Sequence, residues 1–118
     1  KVSAPFHCSL MKPAADKMQK KIENIDFAKP LFQIVNNVTA EPENSPENIK
    51  RLLIEQIFST VKWRESIINM SKSGVKNFVE IGPGKVLTGM VKRTVKGANC
   101  FSINSITDIK NFINEFKK

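Results

Sequence analysis

The sequence predicts an α/β fold with parallel strands, on three observations. Short apolar runs at 31–35, 78–81 and 100–103 have the length of buried strands. Segments with apolar residues at steps of three and four, the period of an amphipathic helix, separate them. Glycine, proline and asparagine punctuate the boundaries between the two patterns. Strands that alternate with helices in this way pair in parallel.

In chain order, Leu10, Ala14, Met18, Ile22 and Ile25 define a first helix, with Ser9 as a candidate cap and Pro13 in the first turn. The run 31–35 follows as a buried strand between Pro30 and Asn36-Asn37, and the polar stretch 39–44 as an exposed loop. Ser45-Pro46 marks a helix start, a capping side chain followed by proline in the first helical position, and Ile49, Leu52, Leu53 and Ile57 form its apolar face. A helix over 60–73 turns Trp63, Ile67 and Met70 inward and stops at Gly74. The strand 78–81 ends in Gly82-Pro83-Gly84, and a helix using Val86, Leu87, Met90 and Val91 comes next. The strand 100–103 closes at Asn104-Ser105 before a last helix with Ile106, Ile109, Phe112, Ile113 and Phe116 on one face. A sheet of only three strands is thin for a free-standing domain and more natural as one side of a larger sheet. The opening at Lys1, with no initiator Met, fits that expectation.

Composition narrows the class. The chain has 118 residues, 41% of them hydrophobic and 25% charged, as in ordinary globular proteins. Its apolar runs fall far short of the roughly 20 residues that span a bilayer, and the first residues lack the apolar core of a signal peptide. Cys8 and Cys100 stand apart with no C-x-x-C spacing, so reduced thiols in a cytosolic protein are expected, not a disulfide or a metal site. The net charge of +8 favours anionic partners. Nucleic acid is disfavoured, because the basic residues are spread along the chain and there is no Tyr.

Two constellations could carry chemistry. His7 is the single histidine, the side chain best suited to exchange a proton near neutral pH; from the residues alone, a capping or packing role is the favoured reading of a lone histidine. A dyad with Cys8 fails on geometry, since sequence neighbours do not aim their side chains at each other. The second constellation is Glu80-Ile81-Gly82-Pro83-Gly84-Lys85 between strand and helix, where Gly82, Gly84 and Lys85 could approach an anion. It matches neither of the common phosphate-binding glycine motifs, and a tight strand-to-helix turn explains it better. No G-x-S-x-G nucleophile elbow occurs in these residues.

The string Val2-Ser3-Ala4-Pro5-Phe6-His7-Cys8-Ser9-Leu10-Met11-Lys12-Pro13-Ala14-Ala15-Asp16 resembles the active-site histidine segment of malonyl-CoA:acyl carrier protein transacylases. Val35-Asn36-Asn37-Val38, Val61-Lys62-Trp63 and the stretch from Glu80 to Gly89 resemble later segments of that family, in its order and spacing. The resemblance implies the C-terminal portion of a hydrolase-like parallel-sheet subdomain over 9–118. Before it, over 1–8, would stand the tail of a small ferredoxin-like subdomain and a hinge. It implies transfer of a malonyl group from malonyl-CoA to the phosphopantetheine thiol of acyl carrier protein in cytoplasmic fatty acid synthesis, through a malonyl-serine ester and with no bound cofactor.

By the same resemblance His7 is the base, and a main-chain carbonyl at Gln56, 49 positions later, orients it. Phe6 would stand beside the malonyl group and disfavour a methyl branch. The serine, the arginine that pairs with the malonyl carboxylate and an oxyanion donor would come from a missing N-terminal part of the same protein, so residues 1–118 alone are expected to be inactive. The basic balance suits acidic acyl carrier protein, with Lys85, Lys92 and Arg93 as candidates. The competing classes are a non-catalytic module holding anions or acidic proteins and a stand-alone α/β structural domain.

Overall fold

The structure, a computed structural model, describes residues 5–116. The chain divides into two compact units, Lys1–Ser66 and Ile67–Lys118. In the first, a 3-10 turn at Ser9–Met11 leads into α1 (Lys12–Ile22), and α2 (Pro46–Gln56) follows a short antiparallel pair, β1 (Ile34–Val35) and β2 (Pro42–Glu43). Helix α3 (Trp63–Lys72) spans the division. In the second unit β3 (Asn77–Ile81) and β4 (Asn99–Ile103) pair in parallel through α4 (Val86–Thr94), and α5 (Ile106–Phe116) ends the chain. The fold is α/β with a parallel strand pair, as the alternating pattern predicts. No helix among the described residues is long and apolar enough to cross a membrane.

In the first unit α1 packs on α2. Ala15 and Ile22 are the buried face of α1, and Ile49 and Leu52 that of α2. Helix α2 begins as its sequence requires: Ser45 Oγ accepts the Asn48 N–H at 3.4 Å, and Pro46 occupies the first turn. In the second unit α4 packs on both strands and α5 on β4. Phe101 and Phe112 meet edge to face at 5.2 Å.

Several expectations are corrected. The run 31–35 is not a buried parallel strand: Leu31 is 93% and Phe32 81% exposed, and only Ile34–Val35 form a strand. The cause is Asn36. Its Oδ1 accepts the Val38 and Thr39 N–H groups at 3.0 and 2.9 Å, and its main-chain oxygen accepts the Ala40 N–H. That side-chain turn reverses the chain and pairs 34–35 with the segment just after it, inside the stretch expected to be loop. In α1 the buried residues are Ala15 and Ile22, while Leu10, Met18 and Ile25 are exposed. Ser9 does not cap the helix, because the 3-10 turn intervenes. In α4 Thr88 and Val91 are buried, and Val86 and Leu87 are exposed. Of the segment 1–8, residues 1–4 lie outside the described residues.

Candidate functional site

The approach to His7 is short and tied to itself. Cys8 Sγ donates to the Pro5 main-chain oxygen at 3.2 Å, and the Met11 N–H donates to the Cys8 oxygen. Cys8 is therefore engaged away from the imidazole. His7 has φ +56°, in the left-handed region that non-glycine residues enter at a cost. Its side chain leaves the turn toward the end of α2.

There His7 Nδ1 lies 2.8 Å from the Gln56 main-chain oxygen. Gln56 is the last residue of α2, where carbonyls have no intrahelical partner, and the next two N–H groups turn back to Ile54 and Glu55. A carbonyl oxygen can only accept, so Nδ1 carries the proton, and the neutral ring presents an unprotonated Nε2. Gln56 Nε2 also stands 3.5 Å from His7 Nδ1. Both nitrogens are donors in that tautomer, so the shorter carbonyl contact governs. The Gln56 amide instead donates to the Ser59 main-chain oxygen at 3.2 Å. His7 and Phe6 are exposed, and Gln56 is half-buried. An apolar recess of about 220 Å³, lined by residues including Ile34, Val35, Leu52 and Leu53, reaches Gln56.

Gly82, Gly84 and Lys85 lie in the second unit. Gly82 and Gly84 have φ +137° and +91°, and the Gly82 N–H donates to the Ile103 oxygen at 3.0 Å. The turn thus lets β3 pass into α4 while continuing the hydrogen bonding to β4. Two amides in the first turn of α4 are in use. Glu80 Oε1 accepts the Leu87 N–H at 3.1 Å, and Oε2 accepts the Thr88 N–H at 2.7 Å. Hydrogen bonds from Thr88, side chain and backbone, hold the Glu80 carboxyl below its usual range, against a smaller opposing effect of burial. Lys85 is exposed, and its positive charge helps lower the pKa of Asp108 at the start of α5. The larger causes there are hydrogen bonds from Asn104 and Ser105.

Three structural details around these positions have little or no sequence signal. Glu80 as a cap has a faint signal, a carboxylate just before a glycine turn that opens a helix. Asn36 as the hub of its turn follows the ordinary habit of asparagine but was hidden by the apolar run before it. The bond from the Gln56 side chain to Ser59 has no sequence signal.

No family model matches the chain. Over nearly its whole length it is nevertheless similar to malonyl CoA-acyl carrier protein transacylases. That of Haemophilus influenzae is 39% identical over 115 residues, which are 98% of this chain and 36% of the relative. Among solved structures, the acyl-carrier-protein-S-malonyltransferase of Bartonella henselae is similar at TM-score 0.93 and 37% identity. The match covers 99% of this chain and 37% of that one. A type II PKS acyl-carrier protein in complex with its malonyl-transacylase gives TM-score 0.89 and 40% identity, over 97% of this chain and 37% of the solved one. The chain spans a little over a third of the length of these relatives.

Proposed function

We propose that this chain is the C-terminal, histidine-bearing part of a malonyl-CoA:acyl carrier protein transacylase. The observation that carries the reading is the hydrogen bond from His7 Nδ1 to the Gln56 main-chain oxygen, 2.8 Å long and joining residues 49 positions apart. It leaves Nε2 as a proton acceptor, which a general base requires. The similarity to transacylases along nearly the whole chain supports the same reading.

The chemistry is acyl transfer in two halves. A serine hydroxyl from the remainder of the protein attacks the malonyl-CoA thioester as His7 Nε2 takes its proton. The C–O bond forms, the C–S bond breaks, and His7 returns the proton to the departing CoA sulfur. The acyl carrier protein thiol then gives its proton to Nε2 and attacks the malonyl-serine ester, and the serine oxygen recovers the proton on leaving. The ester intermediate predicts ping-pong kinetics.

In this reading residues 1–8 are the tail and hinge of a small ferredoxin-like subdomain, and 9–118 belong to the large α/β acyltransferase subdomain. Exposed apolar side chains are the surfaces the rest of the protein would cover: Leu31 and Phe32 in one unit, Ile81, Val86 and Ile106 in the other, each between 71% and 93% exposed. Acyl carrier protein is the partner, by analogy with the solved complex, and the net charge of +8 suits an acidic one. Malonyl-CoA is the substrate, no cofactor is bound, and the protein works in the cytoplasm. Phe6 stands at the acyl pocket, and Gly82, Gly84 and Lys85 form a loop near bound substrate or carrier. An anion-binding module is less well supported, because Glu80 already occupies the Leu87 and Thr88 amides.

The test is malonyl transfer by a protein that joins this chain to the upstream portion corresponding to the unmatched part of its relatives. Activity is expected there, with His7→Ala lowering kcat/KM by about 10²–10⁴-fold, and none from residues 1–118 alone. Full activity of the alanine variant, or turnover by the isolated chain, would refute the proposal.

A further inference from the structure

The main-chain oxygen of Gln56 holds the imidazole, yet the side chain of the same residue is also engaged. Its Nε2 donates to the Ser59 main-chain oxygen at 3.2 Å. Its Oε1 is buried with no hydrogen-bond partner among the described residues. A buried amide oxygen without a partner is unfavourable by itself, so the side chain is not placed to satisfy that atom. Turning the amide over would set Oε1 against the Ser59 oxygen, two acceptors facing each other. Nε2 also lies 3.5 Å from His7 Nδ1, but two donors make no bond at that distance, so the contact to the Ser59 oxygen sets the orientation.

That bond spans the turn that ends α2. Helix termini fray, and the last carbonyls of a helix point where the following residues let them. Here Ile57 and Phe58 turn back only to Ile54 and Glu55, three residues away, the tightened pattern of a helix end. The Gln56 amide closes the turn from the side-chain side, tying residue 56 to residue 59.

We infer that the Gln56 side chain is a positioning group for His7: its amide, latched on the Ser59 oxygen, keeps the Gln56 carbonyl on Nδ1 and so fixes the ring in the Nδ1–H tautomer. The consequence for catalysis rests on the reading of His7 as a base; the effect on the ring does not. Without the latch the carbonyl swings away for part of the time, and the imidazole samples the tautomer in which Nε2 carries the proton and cannot accept one.

His7 is the single histidine of the chain, so its imidazole nitrogens are read without ambiguity by long-range ¹H–¹⁵N correlation spectroscopy of the labelled 118-residue chain in alkaline buffer. The native chain should show Nδ1 protonated and Nε2 bare. Gln56→Met keeps the length and bulk of the side chain without its donor, and Gln56→Ala removes both; neither alters the main-chain oxygen. Each should lower the ratio of Nδ1–H to Nε2–H form by about threefold to tenfold, the range of one net hydrogen bond. An unchanged ratio in the methionine variant, with native far-UV circular dichroism, overturns the latch. A native chain already in the Nε2–H form overturns it too. No malonyl substrate enters the measurement, so an unchanged ratio leaves the transacylase reading intact, and an inactive joined protein leaves the latch intact.

Discussion

Glu80, at the end of a strand, caps the helix that carries Thr88: its Oε2 accepts the Thr88 N–H at 2.7 Å across the glycine turn. One carboxylate thereby fixes the geometry of β3, the turn and α4 together. A helix N-terminus favours negative charge, and here the charge comes from the preceding strand.

Glu80→Gln should lower Tm by a few degrees at neutral pH, since one charged acceptor of two amides is replaced by a neutral group with a single acceptor atom. The pH dependence has a defined sign. The folded pKa of Glu80 is lowered, as are those of Asp108, Glu43 and Glu47. Between the folded and unfolded values the unfolded chain binds more protons, so stability rises with pH there. The contribution is complete above the unfolded carboxylate pKa of about 4.3 and is lost as pH falls through the lower folded values. Thermal melts from pH 6 to pH 2 should show that decline, less steeply in Glu80→Gln. Identical slopes for the two proteins would remove the cap.

Leu52→Ala and Leu53→Ala separate packing from pattern. Both leucines belong to the apolar run of α2, but Leu52 is 4% and Leu53 47% exposed. Truncating a buried leucine costs about 2–5 kcal/mol, and truncating a half-exposed one much less. Urea titration should place Leu52→Ala far below Leu53→Ala in midpoint. Equal losses would mean that Leu53 is covered in solution.

Legibility followed the locality of the cause. Helix α2 was readable to the residue at its start, because Ser45 and Pro46 act within their own turn. The strands at 77–81 and 99–103 and their parallel pairing were readable because β-branched and aromatic runs flank a helix-length spacer. The run at 31–35 misled because an apolar stretch reports a wish for cover without naming the partner. Asn36 chose a nearer one. In α1, the periodic set included Leu10 and Ile25, which sit beyond the helix ends where the period no longer maps to a face. His7 was visible as a titratable group. Its partner was visible only through resemblance, because a main-chain carbonyl leaves no mark on residue identity.

Phe6 precedes His7 in the chain and is 58% exposed, and the proposed function puts its ring at the acyl pocket. In the joined protein, Phe6→Ala should narrow the preference for malonyl over methylmalonyl thioester. One methyl group is worth about 1–3 kcal/mol of discrimination, so the ratio of kcat/KM values should fall by roughly tenfold or more. Parallel assays with both thioesters decide it, and an unaltered ratio would take Phe6 out of the pocket.

Glycine substitutions give opposite signs within one short stretch. Gly82 and Gly84 have φ +137° and +91°, where a side chain is strained even though an added Cβ would meet nothing within 4 Å. Gly82→Ala and Gly84→Ala should each cost about 1–3 kcal/mol through backbone strain alone. Gly89 lies inside α4, and an added Cβ there would meet only the mobile end of Arg93 at 3.5 Å, an ordinary contact. Gly89→Ala should stabilise the protein by about 0.5–1 kcal/mol, because the unfolded chain loses freedom that the helix never uses. Denaturant melts of the three variants should therefore bracket the native chain. A stable Gly82→Ala would show that the turn relaxes out of its positive φ, and with it the path by which β3 delivers Glu80 to the start of α4.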